Sequence, residues 1–217
     1  MIDIIQQINS VSRQVGTRAI EAGAARTVTI SQTYNASLED VWDACTSAER
    51  IPRWFLPISG DLRLGGRFQF EGNAGGTVER CDPPHSFAAT WEFGDGVTWI
   101  EVRLAADPRG GTRFTLEHFG LVEDAHWAEF GPGAVGVGWE SGLLGLAQHL
   151  EAPDSAIKPA EAMAWLASDE GKQFVGLSSE GWCAANIAAG AAEADAQAAR
   201  DRTTAAYTGA APEAAPA

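Results

Sequence analysis

The sequence predicts an α+β fold in which an antiparallel sheet packs against one long helix. Two observations carry this. Five segments rich in β-branched and aromatic residues follow one another, namely GRFQFEG (66–72), GTVERCD (76–82), SFAATWEF (86–93), VTWIEVRLA (97–105) and GTRFTLEHF (111–119). Only short turn-forming stretches separate them (Gly72 to Gly76, Asp82-Pro83-Pro84, Gly94-Asp95-Gly96, Asp107 to Gly111). Parallel neighbours need a crossover of about a dozen residues or more, so these strands form an antiparallel meander. The second observation is that Val135, Trp139, Leu143, Leu146 and Leu150 then recur at helical spacing.

Taken in order, residues 1–25 read as an N-terminal amphipathic helix, because Ile4, Ile8, Val11 and Val15 fall on one helical face. A lone helix cannot bury such a stripe. It docks either on the body or on a second subunit, which would make a homodimer. From Arg26 the period changes, and TVTISQTY reads as a strand. Ser37 with Asp40 three positions later caps a helix running through Ala44, and a second short turn begins near Ser47 and is limited by Pro52. After the meander comes the long helix, from about Pro132 to Leu150. Gly138, Gly142 and Gly145 form a second stripe on it, ending at His149. Interior glycines cost a helix about 1 kcal/mol each relative to alanine, so the stripe implies either close approach to the sheet or space left for a guest. Four segments result: the N-terminal helix 1–25, a central domain 26–151, a C-terminal helical extension 152–208 and a disordered tail 209–217. The extension packs on the body, since Trp165, Phe174, Leu177 and Trp182 are too apolar to stand free in water.

Composition narrows the function. The 217 residues are 45% hydrophobic and 20% charged, with 15 Lys plus Arg against 29 Asp plus Glu, a net charge of −14. Such a chain repels phosphate backbones and anionic lipid, which argues against nucleic-acid and membrane partners. No apolar run approaches the roughly 20 residues of a bilayer span, and MIDIIQQINS lacks a basic n-region. The cysteines Cys45, Cys81 and Cys183 are scattered, with no CxxC, which fits a reducing cytoplasm and no disulfide or zinc framework. The expectation is a cytoplasmic protein with no metal and no cofactor.

Motifs for chemistry are weak. GPGAVG (131–136) matches GxGxxG, but no parallel βαβ unit surrounds it, and Pro132 more simply marks a first helical turn. Glu117, His118, Glu123, Asp124 and His126 cluster without metal-ligand spacing. Alternation puts His118 on the same face as Phe114 and Leu116, as a buried or cavity-lining histidine. If that face lines a cavity, His118 is the best general acid/base candidate and the polar group that orients a ligand. Gly138-Trp139-Glu140-Ser141-Gly142 is not a nucleophile elbow. The aromatics say more. Trp42, Trp54, Trp91, Trp99 and Trp139 lie on elements that should converge, with Phe68, Phe70, Phe87 and Phe93. They make either a filled core or a pocket for an apolar or aromatic molecule. In the pocket reading Trp54, Phe68, Phe70, Trp91, Phe114 and Trp139 form the wall, His118 orients the ligand, and Gly138 and Gly142 leave room for it.

The order strand, two short helices, meander, long helix is the helix-grip arrangement. Trp42-Asp43-Ala44, Trp54-Phe55-Leu56-Pro57 and Gly60 through Phe68 resemble the START-like (SRPBCC) superfamily, and more narrowly its bacterial branch related to the C-terminal domain of the activator of Hsp90 ATPase. Gly76-Thr77-Val78-Glu79, Asp82-Pro83-Pro84, Thr90-Trp91, Gly111-Thr112-Arg113-Phe114 and His118 continue the pattern in the same order. The resemblance covers roughly 26–150 and leaves both ends unexplained. It implies binding of a small hydrophobic molecule between sheet and long helix, with polyketide-cyclase-like, lyase or hydrolase activity in some members. The alternative it implies is a co-chaperone-like interaction module. No catalytic set carries over.

Overall fold

The computed structural model describes residues 3–121 and 124–209. Among these residues eight strands form one antiparallel, curved and unclosed sheet in the order β1-β2-β8-β7-β6-β5-β4-β3. The strands are β1 (Ser12–Ile20), β2 (Gly23–Tyr34), β3 (Ile58–Gly60), β4 (Arg67–Phe70), β5 (Gly75–Asp82), β6 (Ser86–Phe93), β7 (Gly96–Ala106) and β8 (Thr112–Gly120). Seven helices accompany them among the described residues: α1 (Ile4–Ser10), α2 (Leu38–Thr46), α3 (Asp124–Phe130), α4 (Gly133–Glu151), α5 (Pro159–Ala167), α6 (Asp169–Ala188) and α7 (Glu193–Thr208). A single turn of 3-10 helix, Ile51–Arg53, follows α2. The meander and the long helix are where the sequence places them, and Ser37 caps α2 by accepting from the Asp40 N–H at 3.2 Å. This is the α+β helix-grip fold.

The N-terminal segment differs from its expected form. The amphipathic helix expected over 1–25 ends at Ser10; Ser12–Ile20 is a strand, paired to β2 from Ser12↔Ser31 to Ile20↔Gly23. Edge pairing gives the backbone of 12–20 a ladder that outweighs the helical spacing of Val11 and Val15. Val15 instead faces inward opposite Val28, and Arg13 opposite Ile30. Strand β3 and helix α3 were also not anticipated. The tail expected to be disordered lies outside the described residues except for Gly209, which ends α7 with a left-handed φ of 67°.

The core has two parts. One gathers Val28, Ile30, Val102, Leu104 and Leu116 of the sheet against Leu143 and Leu146 of α4 and Phe174, Val175 and Trp182 of α6. The other, around Ile51, Phe68, Phe70, Val78, Ala89 and Ile100, lies under the β4–β7 half of the sheet. The outer face is polar, with Glu101 paired to Arg80 at 2.6 Å and Arg103 at 2.5 Å. Trp99 sits on that outer face, stacked on Phe119 at 5.9 Å, so it does not join the inner tryptophans as expected. It belongs to the outward set of β7, with Glu101 and Arg103, while Ile100, Val102 and Leu104 face inward.

Candidate functional site

A cavity of about 120 Å³ lies where the second core meets α4 and the 3-10 turn. Its wall is almost entirely apolar. The sheet supplies Phe68 and Phe70 from β4, Val78 and Cys81 from β5, Phe87, Ala89 and Trp91 from β6, and Phe114 from β8. Strand alternation accounts for most of these, since Phe87, Ala89 and Trp91 stand two apart on one face. Cys81 is the exception. An irregularity between Val78 and Arg80 shifts the register, so Cys81 opposes Phe87 and faces inward with Val78, while Arg80 turns outward. The opposite wall comes from Cys45 and Thr46 at the end of α2, from Trp54 and Phe55, and from Trp139 on α4.

Four aromatic rings meet in a closed circuit at one side of the hollow. Phe55 meets Phe70 edge-on at 5.0 Å, Phe70 meets Trp91 at 5.6 Å, Trp91 meets Trp139 at 4.8 Å, and Trp139 stacks on Phe55 at 6.1 Å. These are ordinary separations for favourable aromatic pairs.

Of the residues expected from sequence, Trp54, Phe68, Phe70, Trp91, Phe114 and Trp139 all line the cavity. His118, Gly138 and Gly142 do not. His118 faces inward as alternation required, but lies behind the wall. Its Nδ1 accepts from the Trp139 indole N–H at 2.9 Å, and its Nε2 lies 2.8 Å from the Thr98 hydroxyl, which in turn donates to the Trp91 carbonyl at 3.1 Å. That partner set is a neutral ring with its proton on Nε2. Burial lowers the His118 pKa to about 4. Both ring nitrogens are engaged, so His118 has no free lone pair for a ligand; it fixes the position of Trp139.

The glycine stripe answers to close approach rather than to the hollow, and the approach is not to the sheet. A Cβ on Gly145 would lie 2.3 Å from the Trp54 carbonyl oxygen, one on Gly142 would touch the Phe55 ring at 3.4 Å, and one on Gly138 would lie 3.1 Å from the Tyr207 hydroxyl. Gly142 thus seats the ring that closes the cavity.

Sequence reasoning missed Phe55, Cys45 and Cys81. Phe55 was adjacent to Trp54 in an aromatic cluster, which was signal enough. Cys81 depended on the register shift, which no alternation shows. Burial pushes the Cys45 thiol up to about 12, which makes it a poor nucleophile. Among the described residues no group of three or more His, Cys, Asp or Glu is placed to hold a metal ion, and no helix is long and apolar enough to cross a membrane. Of the Glu117–His126 cluster, Glu123 lies outside the described residues, and His126 packs against Phe130 at 5.3 Å.

Comparison with known proteins agrees with this architecture. The family model for activator of Hsp90 ATPase homolog 1-like protein matches residues 35–151. CalU16 from Micromonospora echinospora is 34% identical; its crystal structure aligns over 81% of this chain and 97% of that one with a TM-score of 0.65. Its solution structure gives 34% identity, 82% and 96% coverage and a TM-score of 0.66. MLL2253 from Mesorhizobium loti is 23% identical over 59% of this chain and 99% of that one, TM-score 0.53. DynU16, from the dynemicin biosynthetic locus, is 21% identical over 58% and 48%, TM-score 0.52. No curated protein matches.

Proposed function

Because the chain belongs to the activator of Hsp90 ATPase homolog 1-like family and has the START-like fold, with a hollow between sheet and long helix, we propose that it binds a small hydrophobic or aromatic molecule there. One observation carries the proposal: a hollow of about 120 Å³ persists among aromatic rings from β4, β6, α4 and the segment after the 3-10 turn. An apolar cavity of about 150 Å³ stays dry and admits benzene, so this one suits a guest about one ring wide. At roughly 25 cal/mol per Å² of apolar surface, such a guest gains affinity from burial alone. The reading is one of binding rather than acid–base catalysis, since His118, the histidine bonded to the wall residue Trp139, has both nitrogens occupied.

Titration with toluene, followed through the Trp91 and Trp139 indole N–H resonances, tests it. Saturable shifts confined to the cavity are expected, and folded protein that shows none overturns the proposal. The family match and the charge of −14 favour a second reading, a co-chaperone-like module recognising a basic protein surface. Addition of the chain to a bacterial Hsp90 should then raise its ATPase rate, and an unchanged rate removes that reading.

A further inference from the structure

Resting on the ligand-binding reading above, we infer that the cavity takes uncharged ligands and excludes the carboxylate and ammonium forms of the same skeleton. The polar side-chain atoms in its wall are few, and three of them are already engaged by the protein itself. The Thr46 hydroxyl donates to the Trp42 carbonyl at 2.8 Å, the Trp54 indole N–H to the Ala44 carbonyl at 2.9 Å, and the Trp139 indole N–H to His118 at 2.9 Å. Among the described lining residues that leaves the Trp91 indole N–H and the thiols of Cys45 and Cys81, all neutral and the thiols weak. Among the described residues no lysine, arginine, aspartate or glutamate lines the hollow. The nearby cation Arg50 is already engaged by Asp40 at 2.7 Å, Asp43 at 3.1 Å and His149 at 3.1 Å.

A charged guest would therefore lose its hydration and find no counter-charge. The aromatic faces offer an ammonium group some cation–π attraction, but that is smaller than the penalty of desolvating an unpaired ion. A carboxylate meets the same rings with the opposite sign. The surroundings already act in this direction, since burial disfavours the thiolate of Cys45.

The test uses the full chain and three probes that share a 4-fluorophenyl ring, 4-fluorotoluene, 4-fluorobenzoate and 4-fluorobenzylammonium, followed by fluorine NMR at neutral pH. The toluene should bind, with both ions weaker by about 100-fold or more. A second arm introduces a cation at Leu62, a half-buried residue of the cavity wall that lies in a loop outside every strand. Leu62→Arg, shown by its melting curve to be folded, should gain at least about tenfold in benzoate affinity. Either ion binding native protein as well as the toluene does overturns the inference while leaving the ligand-binding reading standing. Benzoate excluded equally from native and folded Leu62→Arg protein also overturns it, because a missing counter-charge is then not the cause. If none of the three binds, the underlying reading falls and the inference falls with it.

Discussion

His118 sits in an apolar setting, opposite Val28 on one side and Ile100 on the other, with Trp91 and Trp139 against its ring. Its contribution is best measured as a coupling. His118→Phe removes the acceptor of the Trp139 N–H, Trp139→Phe removes the donor, and the double variant removes both. A hydrogen bond of this kind contributes a net of about 1 kcal/mol, so a double-mutant cycle in urea should show a coupling of that size. Additive single effects would mean the two rings are merely adjacent. The same histidine sets a pH dependence. Its folded pKa, about 4, lies below the ordinary value of 6.5. Between those values the unfolded chain binds a proton that the folded chain refuses. Stability is therefore fully present above about pH 6.5 and is lost as the pH falls towards 4, by on the order of 3 kcal/mol. Burial lowers the His149 pKa too and adds loss in the same direction. Melting curves of native and His118→Phe protein between pH 7 and 4 should converge as the pH falls. Parallel curves would show that His118 is not the source.

At the scale of elements, the three glycines of α4 separate although the sequence presents them as one stripe. Gly145 abuts the Trp54 carbonyl, which cannot move without shifting the turn after Ile51–Arg53, whereas Gly138 faces only the tip of Tyr207. Gly145→Ala should cost about 1–3 kcal/mol through overpacking. Gly138→Ala should gain up to about 1 kcal/mol from helix propensity as the Tyr207 hydroxyl gives way. Denaturant midpoints on either side of native settle the order, and equal shifts would refute the distinction. The elements themselves were legible where local chemistry decided them: the separators fixed the meander, and Ser37 fixed the start of α2. Strand β1 was not, because Val11 and Val15 fit a helix face and only pairing with β2 decides otherwise. Six of the nine expected site residues line the cavity: alternation places Phe68, Phe70, Trp91 and Phe114, helical spacing places Trp139, and the turn Ile51–Arg53 delivers Trp54. His118, Gly138 and Gly142 differ for tertiary reasons, as hydrogen bonding turns one behind Trp139 and neighbouring side chains cover the others.

For the whole molecule, the question is whether the C-terminal helices are an appendage or part of the fold. Glu140 of α4 is fully buried and is held by Arg13 of β1, whose Nε donates to it at 2.9 Å, and by the Ser178 hydroxyl of α6 at 2.7 Å. One carboxylate thus ties the edge strand, the long helix and the extension. Helix α7 adds a second tie, with Arg202 and Thr203 donating to the carbonyls of Ala128, Glu129 and Phe130 that end α3. Gly136 lies so close to the Trp182 ring that a Cβ there would come within 2.3 Å of it. Surfaces joined this closely should unfold together. Tryptophan fluorescence and far-ultraviolet circular dichroism should report one coincident urea transition, and two resolved transitions would show an independent extension. Removing one partner of a buried ion pair costs about 3–5 kcal/mol, whereas replacing both with apolar residues of similar volume is often neutral. Glu140→Leu alone should therefore lower the midpoint sharply. The double variant R13M/E140L should recover most of the loss, the Ser178 hydroxyl then turning to a carbonyl of its own helix. A double variant as unstable as the single one would place the stabilisation in the charges themselves rather than in the contact between the two ends of the chain.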